Sequence, residues 1–179
     1  VSQKLQYDQR GNLIAYTDAL GYTTRLSYTT GLNRLASMTD AKGNVTRYSH
    51  DAAGNVTAIT RADQSQSTAT YDDEGNPASY TNARGQQVSY QYNTEGQISR
   101  KTLPDGTHSD FSYDALGYLT TIVDARGTTS FEYDAAGNLT KYTDATGRYL
   151  VYVYNNGGRR TSMTDQSGFQ TQYLYDTAG

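Results

Sequence analysis

Apolar and polar residues alternate in short runs along the chain, and no segment shows a helical period. The clearest runs end in a pair of apolar or aromatic residues two positions apart: Leu26/Tyr28, Tyr48/His50, Ala69/Tyr71, Tyr90/Tyr92, Phe111/Tyr113, Phe131/Tyr133, Tyr152/Tyr154 and Tyr173/Tyr175. A spacing of two puts both members on one face of a strand. The residue between them is polar in most copies, as at Ser27, Ser49, Thr70, Gln91, Ser112 and Glu132. Val153 and Leu174 break that rule and predict a far face partly covered near the C-terminus. A second set of strands is predicted at Leu13–Thr17, Val56–Thr60, Leu119–Val123 and Leu139–Thr143. Plain alternation there puts Leu119, Thr121 and Val123 on one face and turns Ile122 to the other.

Turn signals punctuate the strands at a fixed period. A box of the form Y-D-x-x-G-N-L is clearest at 7–13, 113–119 and 133–139. Its first position falls at Tyr7, Tyr28, His50, Tyr71, Tyr92, Tyr113, Tyr133, Tyr154 and Tyr175, in steps of 20 to 22 residues. A second box, T-D-x-x-G or close to it, follows at 16–21, 38–43, 123–127, 142–147 and 163–168. Sixteen of the 17 glycines fall in one box or the other, and Gly157 alone does not. The chemistry is that of a tight turn: Asp caps its own backbone and Gly closes the turn at positive φ. The residues assigned this repeat duty are Tyr7, Asp8 and Gly11; Tyr71, Asp72 and Gly75; Tyr113, Asp114 and Gly117; Tyr133, Asp134 and Gly137; and Tyr175, Asp176 and Gly179. Two short strands and a tight turn make a hairpin, and successive hairpins make an antiparallel meander. The expectation is an all-β chain: one array, residues 1–179, of about eight repeats. A sheet that wide must curl, spiral or split.

Composition sharpens this picture. Hydrophobic content is 35%, yet there are 18 tyrosines, which a disordered chain lacks. The net charge of −3 is scattered, so nothing attracts a nucleic-acid backbone. No apolar run reaches membrane-spanning length. There are no cysteines. His50 and His108 lie far apart without a ligand pattern, and a glycine-rich calcium repeat is absent, so no metal and no cofactor are expected. No nucleophile elbow or phosphate loop is present, and the chain reads as non-catalytic. Its last residues, YDTAG, stop within a box, which reads as an internal stretch of a longer array.

The two boxes resemble the YD repeat of the Rhs family, and the resemblance runs over essentially the whole chain. Relatives are bacterial Rhs polymorphic toxins, the C component of insecticidal toxin complexes and the shell of teneurins. The resemblance implies a ribbon of β-sheet spiralling into a hollow shell, secreted or at the cell surface. In bacterial members that shell encloses a toxic C-terminal domain, so the implied partners are the rest of the parent shell and its enclosed toxin. Several positions depart from the pattern: His50 replaces a Tyr; Thr29, Asn93 and Asn155 replace the box Asp; Gln64 replaces a turn Gly; Pro77 and Arg160 replace the box Leu. The family's D-P-x-G-L-like core signature is missing, which places the cleavage site and toxin outside this chain. A second reading makes the Tyr-rich face a carbohydrate-binding or adhesion surface. Inter-repeat packing is the simpler use of aromatics at a structural period.

Overall fold

The computed structural model describes residues 3–176. They form 17 strands, and among them there is no helix. The chain divides into two compact units, residues 1–89 and 90–179. In the first unit β1 (Lys4–Tyr7), β2 (Leu13–Thr17), β3 (Thr23–Tyr28), β4 (Leu35–Thr39), β5 (Val45–His50), β6 (Val56–Thr60), β7 (Gln66–Tyr71), β8 (Pro77–Thr81) and the start of β9 (Gln87–Tyr92) pair in chain order, each antiparallel to the next. The second unit repeats the arrangement. Its strands are β10 (Ile98–Thr102), β11 (His108–Tyr113), β12 (Leu119–Asp124), β13 (Gly127–Tyr133), β14 (Leu139–Thr143), β15 (Tyr149–Tyr154), β16 (Arg160–Asp165) and β17 (Gln170–Gln172). The meander is the one that the turn period predicts. Pro77 opens β8, as a residue without an N–H should.

One regular feature escapes plain alternation. At seven places where a Tyr-slot strand pairs with the strand after its turn, the register slips by one residue: Ser112 faces Thr121 but Tyr113 faces Leu119. The same slip occurs at Gln6/Tyr7, Ser27/Tyr28, Ser49/His50, Thr70/Tyr71, Glu132/Tyr133 and Val153/Tyr154. The extra residue forms a β-bulge and reverses the parity of everything beyond it. Leu119 therefore shares the Tyr113 face with Ile122, which pairs with Phe111, whereas Thr121 and Val123 pair with Ser112 and Asp110 on the other face. The expected grouping of Leu119, Thr121 and Val123 is corrected accordingly. The same offset of three recurs in Leu13/Tyr16, Leu35/Met38, Val56/Ile59 and Leu139/Tyr142.

The two faces thus differ. One carries the tyrosine slots and the apolar pairs above. The other carries Thr23, Arg25 and Ser27 on β3 and their counterparts, joined across strands by hydroxyl pairs such as Ser27–Ser37 and Thr70–Ser79, both 2.7 Å. Among the described residues no side chain is fully buried, and Ala15 is the one buried apolar residue. Val153 and Leu174 are 50% and 94% exposed, so the described residues do not cover that face near the C-terminus. Cohesion comes from ladders, turns and cross-strand pairs rather than from a core.

Candidate functional site

Nine of the described D-x-x-G turns are closed from both directions. At the first, the Gly11 N–H donates to the Asp8 carbonyl at 3.1 Å and the Asp8 N–H donates to the Asn12 carbonyl at 2.9 Å. Asp8 Oδ1 accepts the Arg10 and Asn12 N–H groups at 2.9 and 2.8 Å. Gly11 sits at φ 84°, where a Cβ is strained. Asp72, Asp114 and Asp134 build the same turn with Gly75, Gly117 and Gly137, whose φ values are 87°, 86° and 82°. Asp176 ends the described residues, and Gly179 lies outside them. The residue after the glycine has a role that the box pattern alone does not reveal. The Asn12, Asn44, Asn55, Asn76 and Asn138 side-chain amides all donate to Oδ2 of their turn aspartate at 2.8–3.1 Å. These amides are the leading reason that Asp8, Asp40 and Asp134 stay below the usual carboxylate range.

Turns survive at substituted positions because backbone bonds define them. Arg61 and Leu103 still accept from Gln64 and Gly106. Gln64 takes positive φ itself, at 66°. Gly31 does not close its turn. The inserted residue shifts that duty to Asn33, at φ 53°, while the Thr29 N–H reaches the Arg34 carbonyl. Asn tolerates this conformation better than most residues.

The tyrosine slots carry a second repeated bond. The Tyr28 hydroxyl donates to the Leu13 carbonyl at 3.0 Å, across the open end of the β2–β3 hairpin. Tyr71 does the same to Val56, Tyr113 to Ile98, Tyr154 to Leu139 and Tyr175 to Arg160, at 2.7–3.0 Å. Each acceptor lies 15 residues before its tyrosine, and Leu13, Val56, Leu139 and Arg160 lie at a bulge. The phenol thus clamps a backbone carbonyl where the ladder is disrupted. Tyr7, at the end of β1, is 56% exposed. Tyr133 instead stacks on Tyr118, with ring centroids 5.0 Å apart. Burial first, and Asp114 second, push its phenol pKa upward. His50 is too short for the clamp, and its Nδ1 is buried without a partner among the described residues.

Charged side chains gather at a few places on this frame. Arg100 forks onto Asp110, its second bond 2.9 Å long, and His108 Nε2 lies 3.7 Å from the same carboxylate. Among the described residues no group of three His, Asp or Glu could hold a metal ion. No helix there is long and apolar enough to cross a membrane, which says nothing about crossing by strands.

A family model described as Teneurin YD-shell matches residues 33–178. The chain belongs to the teneurin YD-shell family. A second model, described as RHS Repeat, matches residues 7–44, so the two matches together take in almost all of the YD array. None of the curated proteins matches the chain. Among solved structures, a crystal structure of TcdB2-TccC3 without its hypervariable C-terminal region is similar over 95% of this chain, with a TM-score of 0.71 and 16% identity. A structure of the Photorhabdus luminescens Tc holotoxin pore is similar over 84% of this chain, with a TM-score of 0.64 and 18% identity. Both likenesses concern the fold. The YD-shell chain spans 12% and 9% of the lengths of those two chains.

Proposed function

We propose that this chain is a non-catalytic wall segment of a YD-repeat shell that encloses or presents a toxin or effector domain in its parent protein. The observation that carries this reading is the clamped hairpin without a core. Turns capped mostly by Asp or Asn close the hairpins, five tyrosine hydroxyls reach across open ends, and no described side chain is fully buried. Such a unit can be repeated without limit, and stability then accumulates from neighbour to neighbour. A single-layer sheet also presents two chemically distinct faces, as a wall between two compartments requires. The partners are then the flanking shell and its cargo, and the parent is secreted or displayed at a cell surface.

The carbohydrate reading needs tyrosines free to stack on sugar rings. Five slot hydroxyls are instead tied to backbone carbonyls, which favours the structural use. The test is limited proteolysis of the intact parent protein. Its effector domain should resist cleavage in the native protein and become cleavable when Tyr71 and Tyr113 are both changed to Ala. An effector equally cleavable in both would contradict the wall.

A further inference from the structure

Arg160 breaks the repeat where a break is least expected. The first residue of the strand after each first-box turn is Leu, Val, Ile or Pro in the seven earlier hairpins, and Arg in the last. The Arg160 guanidinium carbon stands 4.3 Å from the Tyr152 ring centroid and 6.0 Å from that of Tyr154. The neighbouring Arg159 stands 5.6 Å over Tyr175, whose hydroxyl donates to the Arg160 carbonyl at 2.7 Å. The two neighbouring guanidinium groups thus lie on tyrosines from the chain segments on either side of β16. Ring faces attract a cation but do not neutralise it. Elsewhere in the same unit Arg100, Arg126, Lys141 and Arg148 are ion-paired. Hydrogen bonding to the Tyr154 hydroxyl first, and to that of Tyr173 after it, favours the charged form of Arg160. Its Nε is buried with no hydrogen-bond partner among the described residues. A buried donor without an acceptor is costly, and the guanidinium fork matches an oxyanion in shape and charge.

We propose that Arg160, with Arg159 beside it, forms a binding site for an oxyanion, either a carboxylate or a phosphate group. The site stands whether or not the chain walls a cargo. The tyrosines fix the fork and leave its charge for the ligand to complete.

The experiment titrates the chain with sodium phosphate, and separately with sodium citrate, against sodium chloride at matched ionic strength. The arginine Nε–H resonances are followed by NMR. Arg160→Leu restores the residue type of the other hairpins and should fold. Arg160→Lys keeps the charge without the fork. The expected result is a saturable shift of the Arg160 resonance with at least one of the two anions, and saturable shifts of the Tyr175 amide that Arg160→Leu abolishes and Arg160→Lys weakens several-fold. Saturation by citrate alone assigns a carboxylate ligand, and by phosphate alone a phosphate. No saturation with either anion, or Tyr175 shifts that persist unchanged in Arg160→Leu or Arg160→Lys, would overturn the site.

Discussion

Tyr113 and Tyr133 occupy the same slot in successive repeats, yet their hydroxyls fare differently. Tyr113 donates to the Ile98 carbonyl at 2.9 Å. Tyr133 makes no such bond and stacks on Tyr118. What stands after the turn glycine separates them. In the Tyr113 hairpin that residue is Gln97, whose amide turns away to the Gly117 carbonyl at 2.9 Å. In the Tyr133 hairpin it is Tyr118, whose ring occupies the space beside the phenol. The β12–β13 turn is also one residue tighter, with Asp124 paired to Gly127. The repeat therefore specifies a slot, and the slot is stacked where Tyr118 and the tighter turn occur together.

Acid should break the aspartate turns found along both units. Turn aspartates including Asp8, Asp40, Asp51, Asp134 and Asp165 are all held below their ordinary range by hydrogen bonds to the charged form. A carboxylate depressed in the folded state contributes stability above its unfolded pKa, about 4, and that stability is lost as pH falls through the folded values. Urea midpoints should be flat from pH 7 to 5 and fall steeply below pH 4. A midpoint unchanged at pH 3 would mean that these turns do not depend on ionised aspartate.

The next effect removes a whole ring. Tyr113→Ala loses packing and the clamp together and should cost about 2–4 kcal/mol, the range for truncating a large packed aromatic. Chemical denaturation checks it, and a loss below half a kcal/mol would show that the slot is dispensable. Gly137→Val should cost upwards of about 1 kcal/mol, since a β-branched residue is poorly tolerated at positive φ. A Cβ there would also run into the Tyr118 phenol. Gly157→Ala should cost less, because Gly157 is not at positive φ. Equal melting temperatures for the two variants would refute the distinction.

The turns were legible in the sequence because glycine and aspartate act locally: Asp8 to Gly11 contains the information needed to close its own turn. Strand positions were legible for the same reason, since they lie between such turns. The faces were not. A bulge depends on what two strands do together, so nothing in Leu119-Thr120-Thr121-Ile122 alone shows that Thr120 is the extra residue. The offset of three between apolar residues was its trace. The clamps were hidden likewise, because a backbone carbonyl 15 residues away has no sequence signature. Asn33 in place of Gly31 shows a third limit, where one inserted residue reassigns the turn. Arg160 stood out in the sequence as a departure, whereas its ring contacts needed the structure.

The smallest expected effect is the most discriminating. Tyr→Phe removes one hydroxyl and leaves the ring, so the loss of stability in Tyr113→Phe and Tyr133→Phe, measured by urea denaturation under one set of conditions, compares the clamp directly. Tyr113→Phe should cost about 0.5–1.5 kcal/mol, as for one hydrogen bond. Tyr133→Phe should stay within about half a kcal/mol, and in a Tyr118→Asn background it should rise toward the Tyr113 value. Equal costs at the two positions in the unmodified chain would contradict the account.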